Sequence, residues 1–169
     1  AFGLLKGERS FFASKFKLKR AIYELGPTGF PFERFVAAVL HYSGYSTQVG
    51  EIIHGNCVTH EIDVLAHKNH QTIVVECKFH VSQGLNCDVK VPLYINSRFQ
   101  DVKTYWNSQP NKETQISEGW VVTNTRFSED ALQYGRCVGL YLLSWDYPKG
   151  NALKDRIDSL HLYPITVST

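Results

Sequence analysis

The chain has 169 residues, of which 43% are hydrophobic and 20% charged, which fits one soluble domain able to bury a continuous core. That balance excludes a disordered tail, a collagen-like fibre and a disulfide-dense miniprotein, and no apolar run nears the ~20 residues of a membrane span. The net charge of +2 hides an asymmetry: residues 1–20 hold Lys6, Arg9, Lys15, Lys17, Lys19 and Arg20 against the single acid Glu8, and the rest is mildly acidic. A basic arm before an acidic body suits contact with a polyanion, or a solvated linker. Cys57, Cys77, Cys87 and Cys137 follow no secreted framework, and with His54 and His60 they match no zinc spacing, so reduced thiols in the cytoplasm are expected. No signal peptide opens at Ala1. The absence of methionine leads us to expect a piece of a longer polypeptide, with a neighbour before residue 1.

Residues 9–25 predict a helix stopped by Gly26-Pro27, and Gly26 to Gly29 a hinge dividing an arm (residues 1–28) from a body (29–169). Pro31 opens a second helix, in which Phe32, Phe35, Val36, Val39 and Leu40 recur on one face of a 3.6-residue period. Glu33 lies about 100° round from Phe32, off the centre of that stripe and able to reach a neighbouring cleft. Gly44 ends this helix. The period then becomes that of strands, over 46–53, 59–66 and 72–79. A helix over 89–106, a strand over 120–123, a helix over 128–136 with Ser128 as N-cap, and a strand over 138–144 complete the order. This is a mixed α/β pattern, with helices packed on one central sheet.

The chemistry concentrates in His60-Glu61-Ile62-Asp63-Val64-Leu65 and Val74-Val75-Glu76-Cys77-Lys78-Phe79. If Asn69-His70 is a two-residue turn, Lys68 pairs with Gln71 and Asp63 falls opposite Glu76, with Cβ atoms roughly 4.5–5.5 Å apart. Lys78 shares the face of Glu76 because strand side chains alternate. Two carboxylates on buried strands need compensation. An ion pair of Lys78 with either acid would supply it in part. A divalent cation bridging both would supply it in full, and hard oxygen ligands select Mg²⁺ or Mn²⁺ over zinc. Such an ion, with Lys78 beside it, is apparatus for phosphodiester hydrolysis.

At these residues the sequence resembles the PD-(D/E)xK nuclease superfamily, with Asp63 and Glu76-x-Lys78 as its motif. It is most similar to the Mrr-like restriction endonuclease branch, including nuclease domains that follow an ATP-cone domain. The similarity runs from about Gly29 to Ser144 and takes in Phe32-Glu33-Arg34-Phe35, Val58 to Val64, Val75 to Lys78, Val121 to Ser128 and Gly139 to Trp145. It implies a restriction-endonuclease-like α-β-β-β-α-β core and Mg²⁺-dependent cleavage of DNA, with Mn²⁺ able to substitute. It implies Asp63, Glu76 and the backbone carbonyl of Cys77 as metal ligands, Glu33 as an acid contacting the metal or its waters, and Lys78 as the catalytic lysine. Thr59-His60-Glu61-Ile62 precedes the aspartate where the superfamily name has a proline, a residue often absent in the family. The same branch would supply an ATP-cone-like domain as the expected neighbour.

Arg98, Gln100 and Lys103 on the helix after the Glu-x-Lys strand, with His60, are candidate DNA contacts; a solvated helix face and an ordinary histidine are the alternatives. Tyr105, Trp106, Trp120 and Trp145 read first as core aromatics. Cutting both strands ordinarily needs two sites, which makes a homodimer the expected assembly. The rival function is a catalytically inactive nuclease-fold module that binds DNA or another partner.

Overall fold

The computed structural model describes residues 18–110 and 112–162. Most of the basic arm, including the first half of its predicted helix, lies outside them. Residues 18–23 are helical, and Leu18 and Ile22 are buried in the same apolar cluster as Phe32 and Phe35.

Helix α1 (Phe30–Tyr42) begins with Pro31 in its first turn, where the missing N–H leaves no bond unmade. Its predicted stripe is the buried face: Phe32, Phe35, Val36, Val39 and Leu40 are all at most 4% exposed. Full burial of each contributes about 1.5–3 kcal/mol. Three antiparallel strands follow, β1 (Ser46–His54), β2 (Thr59–Lys68) and β3 (Gln71–Lys78). Asn69 and His70 both have positive φ (50° and 61°), the conformation of a two-residue hairpin turn that matches strand twist. It fixes the expected register, with Lys68 opposite Gln71 and Val64 opposite Val75.

A short strand β4 (Asn86–Cys87) and helix α2 (Lys90–Ser108) lead to β5 (Gln115–Thr123), parallel to β3. Pro92 sits within the first turn of α2 and is buried there, tolerated for the same reason as Pro31. Strand β6 (Arg126–Phe127) pairs with β4 in a separate parallel ribbon. Helix α3 (Glu129–Val138) follows, capped by the Ser128 side chain, which accepts from the Ala131 N–H at 3.2 Å. Gly139 ends it at φ +76°, so the last strand, β7 (Tyr141–Leu143), starts three residues later than predicted. Helix α4 (Leu153–Leu160) was not anticipated.

The main sheet has the order β1-β2-β3-β5-β7, with a core on each face. One is formed by α1, α4 and residues 18–22 over Val64, Ala66, Ile73, Val75, Trp120 and Val122. The other is formed by α2 and α3 over Leu65, Val74, Val121 and Leu142. The predicted α-β-β-β-α-β order is the order observed, in a three-layer mixed α/β arrangement.

Candidate active site

The site lies where β2 parts from β3. Pairing between them ends at Val64 opposite Val75. One step further, the Cys77 N–H donates instead to the Asp63 carboxylate, at 2.7 Å to Oδ2. A side chain thus takes the place of a ladder partner, and the strands open around it.

The sequence on either side of Asp63 also changes face. Val64 and Ala66 belong to the core under α1, and strict alternation would put Ile62 with them. Ile62 belongs to the α2 side, with Leu65. The neighbouring strand does the same: Val49 packs on the α1 side and Ile53 on the α2 side. Register is unchanged across the break, from Val49 opposite Val64 to Glu51 opposite Ile62, so Gly50 stands opposite Asp63. Gly50 has φ +69°, a left-handed conformation that other residues adopt only at a cost. The two strands twist together there, and the twist places Asp63 at the rim between the two layers.

Four carboxylates gather at this rim. Burial first, then the charge of Asp63, pushes the Glu76 carboxyl up to about 7, although Arg98 opposes the shift. Asp63 is also raised, chiefly by burial, against the lowering effects of the Cys77 N–H and of Arg98. Glu33, in the first turn of α1, is raised by burial and then by Asp63 and Glu61. Glu61 is exposed and acts on both Glu33 and Asp63. The Cys77 thiol packs toward the α1 core, and burial pushes it well above its ordinary range. A buried, protonated thiol is a poor ligand, which leaves the residue's carbonyl as its hard donor.

The structure separates two roles that the sequence assigned together. Lys78, expected to offset the acids, is exposed at the end of β3, and its charge is felt by His80 and Cys87. The cation on Glu76 is Arg98 of α2, with Nη2 3.2 Å from Oε1. The same nitrogen donates to the Glu61 carbonyl, and Nη1 donates to the Tyr94 hydroxyl at 3.2 Å. His60 is largely buried, and its Nε2 is 2.7 Å from Asp101 Oδ2. The His60 bond, aided by the Cys57 and Val58 N–H groups, holds Asp101 down to about 2. Asp101 thereby ties the β1–β2 turn to α2, with the Cys57 N–H 2.8 Å from its Oδ1. Arg98, Gln100 and His60 line one open groove of about 480 Å³ whose lining holds none of the four acids; Arg98 links it to them through Glu76. Lys103 is not among its lining residues and lies over the Phe99 ring, 5.5 Å from its centroid.

Comparison with known proteins identifies the family. A family model described as restriction endonuclease (the Mrr catalytic domain) matches residues 27–146. The chain belongs to this family. An uncharacterized protein of Archaeoglobus fulgidus is 38% identical over 135 residues, covering 78% of this chain and 70% of that one. The crystal structure of a protein of unknown function, AF1548, superposes with a TM-score of 0.74 at 34% identity, covering 83% of this chain and 71% of that one. The DNA modification-dependent restriction endonuclease AspBHI shares the fold, with a TM-score of 0.53 at 13% identity over 94% of this chain and 39% of that one. The restriction-endonuclease-like architecture is thus shared with an enzyme more than twice as long.

For this restriction endonuclease domain, a metal has to be judged by the donors present. Among the described residues no three His, Cys, Asp or Glu side chains form a ready-made cage. Asp63 and Glu76, with the Cys77 carbonyl, would supply a sparse, all-oxygen set. That fits Mg²⁺, which keeps several waters and is held by one or two carboxylates plus substrate phosphates.

One participant, Glu61, and one pairing were missed in the sequence. Glu61 had a signal, since a residue two before Asp63 on a strand shares its neighbourhood. The Arg98–Glu76 ion pair joins residues 22 apart, and no local pattern announces it.

Proposed function

We propose that the chain is a Mg²⁺-dependent endodeoxyribonuclease that hydrolyses DNA phosphodiester bonds. The observation that carries this reading is the meeting of Asp63 and Glu76 where β2 leaves β3, against burial and mutual repulsion that push Glu76 up to about 7. Two acids held in that position at such a cost call for a cationic partner. Bound there, a dication would supply an activated water and stabilise charge on the phosphoryl oxygens.

The chain's own groups do the rest. Asp63 is oriented by the Cys77 N–H, which donates to its Oδ2. Glu33 reaches in from α1 to accept hydrogen bonds from waters at the site. Lys78, exposed one residue beyond Cys77, offers an ammonium to the attacking water or to the charge growing on the phosphate. Hydrolysis forms one P–O bond to the water and breaks the bond to the departing oxygen, which takes up a proton. DNA would pass along the groove between the β1–β2 turn and α2.

A second reading, an inactive nuclease-fold binding module, is favoured by one observation: Arg98 already neutralises Glu76. Incubation with supercoiled plasmid separates the two. Nicking that requires Mg²⁺, stops with EDTA and is lost in Lys78→Ala supports the enzyme. Metal-independent nicking, or full nicking in Lys78→Ala, overturns it, and plasmid binding with no cleavage at any Mg²⁺ or Mn²⁺ concentration supports the module.

A further inference from the structure

We propose that Arg98 is the resident counter-ion of the acid pair and that it leaves Glu76 for a phosphate oxygen of the nucleic acid when a dication is bound. The inference rests on the nuclease reading and assigns a charge-exchanging, substrate-binding role to a residue outside the Asp and Glu-x-Lys motif.

Three observations carry it. The first is that Glu76 Oε1 serves Arg98, while on the nuclease reading the same carboxylate would serve as a metal ligand. One negative charge in a partly dry site cannot satisfy two cations in full, because the cations repel each other. The second is that Glu76 is the weaker of the two acceptors on Nη2. At 3.2 Å the pair is longer than the 2.7–2.9 Å of a strong charged hydrogen bond, and Nη2 is shared with the Glu61 carbonyl. Arg98 Nε–H is buried with no acceptor among the described residues, a cost that the resting pose does not relieve. A guanidinium with an unused Nε–H beside its Nη groups has the fork that binds phosphate with two parallel bonds.

The third observation is that Arg98 has somewhere to go. It lines the open groove with Ser97 and Gln100. Its guanidinium lies 5.5 Å from the centroid of the Tyr94 ring, which is 63% exposed. The charge can therefore turn toward the groove while its stem keeps its place on α2. In the metal-free chain Arg98 screens the acids from one another; in the loaded chain the same charge meets the substrate.

The test uses readouts other than cleavage. Mn²⁺ binding is measured by electron paramagnetic resonance on the purified wild-type chain, Arg98→Gln and Tyr94→Phe. Affinity for a labelled duplex is measured by anisotropy in Ca²⁺. We expect Arg98→Gln to bind Mn²⁺ about tenfold more tightly, as loss of a competing charge near a cation site requires, and to bind the duplex several-fold more weakly. Tyr94→Phe removes one acceptor of the docked guanidinium from an exposed position that the fold does not need. It should raise Mn²⁺ affinity by a smaller factor in the same direction, and it carries the test alone if Arg98→Gln fails to fold. Unchanged or weaker Mn²⁺ binding in the folded variants would overturn the inference, since a residue that merely orients Glu76 would weaken the site when removed. Unchanged duplex affinity in Arg98→Gln would overturn its second half. A wild-type chain that binds no Mn²⁺ and nicks no plasmid defeats the nuclease reading itself. One that does both without a gain in the variants defeats only the assignment of Arg98.

Discussion

Replacing Glu76 by Gln should stabilise the metal-free protein, although the residue sits at the centre of the candidate site. A carboxyl raised from 4.5 to about 7 by burial and by Asp63 holds its proton longer in the folded chain than in the unfolded one. As pH rises from about 4.5 to 7 the unfolded chain ionises first, so wild-type stability falls across that window and levels off above it. The full difference is about 3 kcal/mol, an upper bound because Asp63 titrates with it. Gln keeps the shape and an oxygen for Arg98 but carries no charge, so its contribution stays flat. At pH 8 in EDTA, Glu76→Gln should exceed wild type by up to about 3 kcal/mol, or roughly 6–12 °C in melting temperature for a chain of this size. At pH 4.5 the two should nearly coincide. Urea unfolding followed by the fluorescence of the buried Trp106 and Trp120, at half-unit pH steps, measures both slopes. The same downward slope in both proteins, or a variant clearly less stable at pH 8, would mean that the Arg98 ion pair outweighs the cost of burying the charge.

Gly50→Val forces a β-branched residue to φ +69° opposite Asp63. It should cost about 1–3 kcal/mol in urea unfolding and weaken Mn²⁺ binding at Asp63, which it does not touch. Asp101→Ala frees the Cys57 and Val58 N–H groups and the His60 ring. Amide exchange at residues 56–58 should speed up while exchange in β3 is unchanged, and plasmid nicking should show a raised KM. Gly55→Ala should reproduce that loosening, because its Cβ would lie 2.6 Å from the Val58 carbonyl oxygen and against the Asp101 carboxylate. Phe32→Ala empties the largest fully buried side chain of the α1 core and should cost about 3–5 kcal/mol by urea titration.

Local chemistry was readable in the sequence wherever one turn or one periodic face decided the outcome. The apolar stripe of α1, the Ser128 cap and the Asn69-His70 turn each act over a few residues, and the turn alone sets the register from Lys68 opposite Gln71 to Val64 opposite Val75. Elements held by distant partners were not readable. Strand β5 begins at Gln115, five residues before its predicted start. Its first half, Gln-Ile-Ser-Glu-Gly, is weakly apolar, and Gly119 is there to admit the Phe99 ring. The two-residue strands β4 and β6 exist only as each other's partners. Helix α4 owes its place to Leu153 and Ile157, buried beneath α1. At the site, the acids and Lys78 stand out from their apolar strands. The change of face at Gly50 and Asp63, and the capture of Glu76 by Arg98, depend on contacts across the sheet that no short window contains.

The central claim is that Asp63 and Glu76 are brought together to share one divalent ion. Mn²⁺ titration of the wild-type chain, Asp63→Asn and Glu76→Gln, read by paramagnetic resonance alongside a folding check, addresses it most directly. One bound ion per wild-type chain, with binding lost or at least a hundredfold weaker in both variants, is the expected result. Equal Mn²⁺ affinity in all three folded proteins would contradict it.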